Sequence, residues 1–261
     1  MQAWIPNEVF KQNAELKKLA DNTNPVNWAP VEPSAIYNSM LYPLVNHKIA
    51  GAIWYQGEAN TGEPEAYGEL FAGMINGWRK AFNTDFPFYF VQIAPWNGYW
   101  KNSAAYLREQ QESVLSLPKT GMISVGDLVD DISDIHPRIK KEVGNRLVNL
   151  ALKEHYGVEG LQPYSPKYQS STIKKNKVNI KIQSIGKLSS KAKTPANFQV
   201  AGDDMQFYPA VARIEKDGSI TVSSKEVKTP VAVRYCFTSD AMPDIFDVNG
   251  LPLIPFRTDK W

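Results

Sequence analysis

The feature that most constrains the fold is an alternation of apolar runs with helix-length segments between residues 49 and 156. Residues 49–55 are apolar without alternation, which is typical of a parallel strand covered on both faces by helices. Residues 64–82 place apolar side chains at helical spacing, and apolar runs at 88–94 and 121–125 follow. Helix-length connections between strands favour a parallel sheet, so the pattern predicts an α/β fold.

The remaining parts of the first 160 residues are two helices and an irregular start. Residues 104–117 are predicted to form a helix, and a second helix is predicted from Pro137 to Tyr156, where Gly157 ends it. Residues 1–48 contain repeated prolines, so they are predicted to be irregular.

Beyond residue 160, short stretches of alternating character are typical of antiparallel strands. Asp217-Gly218 separates two of them and is a strong hairpin signal. We expect an α/β domain over residues 1–160 and a small β-sandwich-like domain over residues 161–261. The predicted strands are 178–182, 198–200, 210–214, 220–222 and 231–235, with a surface loop at 186–195.

Composition excludes several classes of function. Of the 261 residues, 43% are hydrophobic, so a sizeable core is expected and disorder is not. The net charge is +2 without a cluster of basic residues, which argues against nucleic-acid binding. No run of about 18 apolar residues indicates a membrane span, and residues 1–10 show no signal-peptide pattern.

The few cysteine and histidine residues predict neither a disulfide nor a metal site. Cys236 is the single cysteine and lies in an apolar run, so we expect a buried structural thiol. His47, His136 and His155 lie far apart in the sequence and lack metal-ligand spacing.

Polar segments follow each predicted parallel strand, at the sheet edge where open α/β folds bind ligands. Gln56, Glu58 and Asn60 follow the first strand. A Gln or Asn amide there can donate to a developing oxyanion, and Glu58 can accept from sugar hydroxyls. An ordinary glycine-containing loop explains the segment equally well. After the second strand, Trp96 and Trp100 offer a platform for a sugar ring, or they only pack the loop.

His136 is the candidate general base, and it precedes the helix predicted to begin at Pro137. A helix N-terminus disfavours the imidazolium and a nearby carboxylate favours it, so such a ring can be neutral at pH 7 and accept a proton. Asp134, or Asp131 or Asp127 after a fold-back of the loop, would orient the ring as a triad requires. Alternatively, Asp134 or Ser133 only caps the helix and His136 is incidental.

Two of these segments resemble conserved blocks of the sialate O-acetylesterases, a branch of the SGNH hydrolases. The last catalytic block of the family is similar to Asp134-Ile135-His136-Pro137 with Lys140. The third block is similar to Trp54-Tyr55-Gln56-Gly57-Glu58-Ala59-Asn60, and further similar segments cover nearly the whole chain. The resemblance implies an incomplete SGNH-type (flavodoxin-like) parallel sheet with helices, followed by a small antiparallel β domain.

The resemblance also implies a reaction. Family members remove acetyl groups from sialic acid or related sugars with a nucleophilic serine and a histidine base, without metal or organic cofactor. His136 carries over as the base and Gln56 as the side-chain oxyanion donor, with Glu58 and Asn60 supporting Gln56 or the substrate. Asp134 carries over as the acid, although many relatives place the acid at the position of Ser133.

The nucleophile of the family is the main departure, because no serine here lies in a Gly-Gln-Ser-Asn-like motif. The end of the second conserved block of the family is similar to Met1-Gln2-Ala3-Trp4-Ile5-Pro6. The chain is therefore expected to start after the nucleophile and the first strands of the sheet. We therefore expect little or no esterase activity from the chain alone. We also expect a second copy or the missing N-terminal segment to cover the exposed sheet edge.

Two other functions compete with the esterase. One is a non-catalytic carbohydrate-binding or interaction protein on the same scaffold. The other is a glycosidase that uses Glu58 and Asp127 as its two carboxylates, which would have to lie about 5–9.5 Å apart across a cleft. Members of the family are often exported, so the resemblance is compatible with a secreted or periplasmic protein.

Overall fold

The computed structural model describes residues 1–22, 27 and 29–261. The first part of the chain contains a three-stranded parallel sheet in the order β1-β2-β3, with β2 in the centre. The antiparallel sheets follow it, which confirms the predicted fold class. The three parallel strands are β1 (Ala52–Trp54), β2 (Phe88–Gln92) and β3 (Thr120–Ser124).

The helices connect these strands and also occupy part of the chain before β1. In the part of the chain that the structure describes, the α-helices are α1 (Asn7–Gln12), α2 (Ala14–Asp21), α3 (Tyr67–Ala81), α4 (Ser103–Ser113) and α5 (Lys140–Glu154). A π-helical turn covers Tyr37–Leu41. Short 3-10 turns lie at Gln2–Trp4, Tyr42–Leu44, Glu58–Asn60, Pro64–Ala66 and Val114–Ser116.

The prediction that residues 1–48 are irregular is wrong for α1, α2 and the π-helical turn. These helices are only six to eight residues long, too short to show a sustained period in the sequence. The side chain of Asn13 caps α2 by accepting a hydrogen bond from Leu16 N at 3.0 Å. Residues 23–26 and 28, also covered by that prediction, lie outside the described residues.

Helices cover both faces of the parallel sheet. On one face, the apolar side of α3 packs with Trp54, Phe88 and Phe90 into a core rich in aromatic rings, where the Trp54 and Trp78 centroids are 5.7 Å apart. On the other face, Leu147 and Leu150 of α5 pack against residues of β2 and β3. The helices thus cover the faces of the sheet and leave the carboxyl ends of the three strands uncovered.

The edge at β1 is the least covered part of the sheet. Ile53 is 69% exposed, so the prediction that residues 49–55 are covered on both faces is wrong at this side chain. Nearby in the sequence, Met40, Tyr42, Leu44 and Ile49 are also exposed. Apolar surface is thus concentrated in the segment that leads into the edge strand.

The second part of the chain is built from antiparallel sheets. Two four-stranded sheets, ordered β4-β5-β10-β9 and β13-β11-β7-β8, contribute to a single apolar core, and β12 pairs with β6. The strands are β4 (Lys167–Lys174), β5 (Lys177–Gln183), β6 (Ser189–Ser190), β7 (Phe198–Ala201), β8 (Phe207–Pro209), β9 (Val211–Ile214), β10 (Ile220–Ser223), β11 (Ala232–Tyr235), β12 (Ile245–Phe246) and β13 (Phe256–Arg257).

The Asp217-Gly218 hairpin lies between β9 and β10 as predicted, with Gly218 at φ 83°. The domain boundary near residue 160 stays a prediction, because side chains connect the two parts of the chain. Ile254 packs into the core beneath α3, and Arg257 forms a salt bridge of 2.8 Å with Glu109 of α4.

One further prediction concerns the cysteine, and two surveys of the described residues follow it. Cys236 is buried as predicted, and burial raises the pKa of its thiol to about 12. Within the part of the chain that the structure describes, no helix is long and apolar enough to cross a membrane. The described residues also contain no group of three His, Cys, Asp or Glu side chains arranged to hold a metal ion.

Candidate functional site

A cleft of about 580 Å³ lies at the carboxyl ends of the parallel strands. The loop after β1 forms one wall and the loop that precedes α5 forms the other. Gln56, Glu58 and His136 of the predicted site therefore meet in one cavity. The residues that line it are Tyr55, Gln56, Glu58, Ala59, Ile135, His136 and Lys140.

The Gln56 side chain is held in a defined orientation. Its Nε2 donates to Asn60 Oδ1 at 2.9 Å, and Tyr67 Oη donates to the Gln56 carbonyl oxygen at 2.8 Å. Gln111 Nε2 donates to the same carbonyl at 3.3 Å and to Val91 O at 3.2 Å. Within the described residues, Gln56 Nε2 donates to Asn60 Oδ1 alone, although an amide nitrogen carries two hydrogens.

Gly57 and Asn60 hold the backbone of this loop against the core. A Cβ at Gly57 would lie 2.6 Å from Ile93 Cγ2 and 3.0 Å from Leu107 Cδ2, so only glycine allows this approach. Asn60 is buried, and its Oδ1 also accepts a hydrogen bond of 3.0 Å from the Met1 nitrogen, whose burial lowers its pKa to about 5. Asn60 therefore supports Gln56 from behind the cleft wall.

Aromatic and charged side chains complete the Gln56 side of the cleft. Burial raises the pKa values of Tyr55 and Tyr99, and the negative charge of Glu58 adds to both shifts. Both phenols therefore stay neutral and can donate hydrogen bonds. Lys140 Nζ lies 4.7 Å from the centroid of the Tyr55 ring, a cation–π contact that joins the two walls of the cleft.

The other wall differs from the prediction, because α5 begins at Lys140 and not at Pro137. Arg138 donates to Asp130 from its backbone N at 3.2 Å and from its Nε at 2.8 Å, which holds the chain in a non-helical path at this point. His136 is exposed and lies four residues before the first helical residue. His136 therefore lies outside the first turn of α5, the range within which the charge effect of a helix N-terminus acts.

The aspartates around His136 are engaged in local turns. Asp134 Oδ1 accepts a hydrogen bond from His136 N at 2.8 Å, so this carboxylate holds the main chain of His136. Asp131 Oδ1 accepts from Ser133 N at 2.9 Å and from Ser133 Oγ at 2.7 Å, and these bonds lower the pKa of Asp131. The orientation of the imidazole by one of the aspartates stays a prediction.

Asp127, the alternative fold-back partner, has a structural role. Its carboxylate forms a two-pronged ion pair with Arg146 of α5 at 2.7 and 2.8 Å, and both side chains are buried. Asp127 does not line the cleft that Glu58 lines. The geometry therefore gives no support to a glycosidase that uses these two carboxylates.

The loop after β2 places its two tryptophans differently. Trp96 is partly buried against the loop that carries His136. Trp100 is 73% exposed, and Lys101 Nζ lies 4.8 Å from the centroid of its ring. A platform for a sugar ring at these residues stays a prediction.

Several site residues were not identified from the sequence. Tyr55 and Lys140 line the cleft, although they were quoted only as parts of the two motifs. Gln111 braces the Gln56 loop from α4, where it is fully buried one turn after Leu107. A polar residue on the apolar face of a helix was the available signal, because a buried amide has to find partners.

Comparisons with known proteins show which proteins the chain is similar to. A family model described as "Carbohydrate esterase, sialic acid-specific acetylesterase" matches residues 15–153. The crystal structure of a carbohydrate acetylesterase from Xanthomonas citri superposes with a TM-score of 0.85 and 33% identity, covering 100% of this chain and 58% of that chain.

Curated relatives show the same similarity. A sialate O-acetylesterase from Homo sapiens is 26% identical over 258 residues, which cover 87% of this chain and 49% of the relative. One from Rattus norvegicus is 33% identical over 159 residues, or 52% of this chain and 29% of the relative. The alignments thus span half or less of the length of these two relatives.

Proposed function

The chain belongs to the family of sialic acid-specific carbohydrate acetylesterases, and on this premise we propose that it takes part in the hydrolysis of O-acetyl esters on sialic acid or related sugars. The observation that carries the proposal is the shared cleft, where Gln56 and His136 line opposite walls. A fixed amide donor and an accessible imidazole are two of the groups that ester hydrolysis needs.

The proposed reaction follows the serine esterase pattern, with the serine supplied from outside this chain. A serine hydroxyl attacks the acetyl carbonyl carbon while the His136 imidazole accepts its proton. Gln56 Nε2 donates to the oxyanion that forms on the carbonyl oxygen. The sugar oxygen then leaves with the proton from the imidazolium. Water attacks the acetyl-serine in the same way, which releases acetate and restores the serine.

Asp134 is the proposed acidic partner of His136. It lies in the same turn, and only its Oδ1 is used to hold the His136 backbone. Its Oδ2 makes no hydrogen bond within the described ranges 1–22, 27 and 29–261, so it is available to the ring after a side-chain rotation. A carboxylate in this position would stabilise the imidazolium during proton transfer.

We further propose that the polypeptide carrying the serine packs along the edge of β1. Ile53 is the most exposed apolar side chain of that strand, and Ile49, Tyr42 and Met40 extend the apolar surface. Burial of such a surface favours association, and the ordering of the two chains offsets part of this gain. A second copy of the chain would cover the same edge and is the alternative occupant.

A non-catalytic carbohydrate-binding protein is the second candidate function. It is favoured by one observation, the lack of a Gly-Gln-Ser-Asn-like motif in the 261 residues. The two functions differ in what they recognise. An esterase site is expected to prefer the acetylated sugar over the same sugar without acetyl, whereas a glycan-binding site is not expected to depend on the acetyl group.

The test is a calorimetric or NMR titration of the chain with O-acetylated and unacetylated sialic acid. We expect binding of the acetylated sugar about tenfold tighter, and loss of that preference in Gln56→Ala. Gln169→Ala, an exposed glutamine on β4, is the matched control and should bind like the native chain. Equal binding of both sugars would contradict the esterase site and favour the second candidate.

A further inference from the structure

The loop after β2, residues 95–100, has no role in the proposed reaction but lies where both walls of the cleft can contact it. β2 is the central strand of the parallel sheet, so the loop at its carboxyl end is flanked by the loops after β1 and β3. From this central position, the loop forms hydrogen bonds with the segment on the His136 side of the cleft.

Two hydrogen bonds connect this loop to the segment that carries His136. Trp96 Nε1 donates to the carbonyl oxygen of Ser133 at 2.9 Å, and Asn97 N donates to the carbonyl oxygen of Ile132 at 3.0 Å. Ser133 and Ile132 are the third and fourth residues before His136. The main chain that leads to the candidate base is therefore held from a different strand of the sheet.

The loop is shaped around the indole of Trp96. A Cβ at Gly98 would lie only 2.3 Å from Trp96 Cζ2, so the glycine allows the backbone to fold over the ring. The Tyr99 ring meets the indole edge-on, with centroids 4.8 Å apart. Trp96 N also donates to Ser239 O at 3.1 Å, which joins the loop to the second part of the chain. The indole is thus confined from several sides.

His136 itself depends on such indirect support. Its ring is exposed and forms no hydrogen bond with any residue that the structure describes, so its position is set through its main chain. Within the turn, Asp134 Oδ1 holds His136 N and Asp131 O accepts from Asp134 N at 3.1 Å. Trp96 and Asn97 supply hydrogen bonds to this turn from outside it.

We propose that Trp96 is a positioning residue for His136, acting through the Ser133 carbonyl to hold the imidazole opposite Gln56. The catalytic meaning of this role rests on the proposed esterase function, whereas the positioning itself does not. Loss of one hydrogen bond is expected to change the equilibrium between the ordered and the displaced conformation of the turn before His136 about fivefold.

The test compares Trp96→Phe with Trp100→Phe by NMR and hydrogen exchange. Phenylalanine keeps an aromatic ring at position 96, removes the N–H donor and is smaller than the indole. We expect the backbone amides of Ser133 to His136 to exchange about fivefold faster, and the His136 ring signals to move. His47 and His155 serve as internal references whose signals should not change. Trp100→Phe, in the same loop but exposed, should leave all three histidines unchanged.

A second variant covers the case that Trp96→Phe does not fold. Gly98→Ala keeps the indole but displaces it, so it should produce the same change at His136. Identical His136 signals and exchange rates in the native chain, Trp96→Phe and Gly98→Ala would overturn the proposal. These measurements need no sugar, so failure of the native chain to bind an acetylated sugar would contradict the proposed function and leave the positioning role standing.

Discussion

The two walls of the cleft differ in how they are held. The Gln56 wall is supported by buried groups, since Tyr67, Gln111 and Asn60 are all buried and Gly57 packs directly on the core. The His136 wall is an exposed turn held by hydrogen bonds at the surface. Substitutions in the first wall should therefore lower the free energy of unfolding, whereas substitutions in the second should change ligand binding and leave the fold intact.

Gln111→Leu should give the largest effect of this comparison. The leucine removes the partners of Ile93 N and Val91 O, which are 2.9 and 3.2 Å from the amide, and leaves two buried polar groups unpaired. We expect the free energy of unfolding to fall by about 3 kcal/mol, measured by urea denaturation. Gln110→Leu on the same helix is the control, and an equal loss there would show that the buried hydrogen bonds are unimportant.

Gly57→Ala should have the next largest effect. Its methyl group would lie 2.6 Å from Ile93 Cγ2, and the crowded core has to shift to admit it. Overpacking of this kind costs about 2 kcal/mol, which thermal or urea unfolding will detect. Gly62→Ala is matched to it, because a Cβ at Gly62 meets nothing within 4 Å. Similar stabilities for the two variants would contradict the account of this wall.

Acid should loosen the His136 wall before it affects the Gln56 wall. Hydrogen bonds from Ser133 lower the pKa of Asp131, and those from Arg138 lower the pKa of Asp130, both from 3.8. A lowered folded-state pKa means that these carboxylates stabilise the turn above pH 3.8. The contribution is lost as the pH falls through the lowered values. Amide protection, corrected for the intrinsic pH dependence of exchange, should therefore fall first at Ser133 and Arg138 when the pH is lowered from 5 to 2. A simultaneous fall at Gln56 would contradict this order.

His136→Ala should give the smallest change in stability. The side chain is exposed, so the free energy of unfolding is expected to stay within about 0.5 kcal/mol of the native value. A loss of more than 1 kcal/mol in urea denaturation would show that His136 supports the fold. His155→Ala, also exposed, provides the matched reference for this substitution.

The layered core was predictable because its signals are local and repeated. The apolar spacing of residues 64–82 predicts α3, and the uniform apolar run at 88–94 predicts the buried central strand. β4 was missed because its side chains are mostly exposed and polar, so it has little apolar alternation to detect. Edge strands in general carry a weak sequence pattern.

Part of the lining of the cleft was predictable from the sequence, but its geometry was not. The two motifs indicated that Gln56 and His136 belong together, and the cleft places them so. The start of α5 was not predictable from Pro137, since the Asp130–Arg138 contact that delays the helix joins residues eight positions apart. The support from Trp96 and Gln111 also depends on contacts between different elements, and no local pattern encodes such contacts.

The central claim is that this chain carries the histidine and the amide donor of an acetylesterase site and not the nucleophile. The most direct measurement combines hydrolysis of an acetylated chromogenic ester with labelling by a fluorophosphonate serine probe. We predict no covalent labelling and no turnover above that of His136→Ala. Stoichiometric labelling of a serine, together with turnover that His136→Ala abolishes, would contradict the claim and place the nucleophile within these 261 residues.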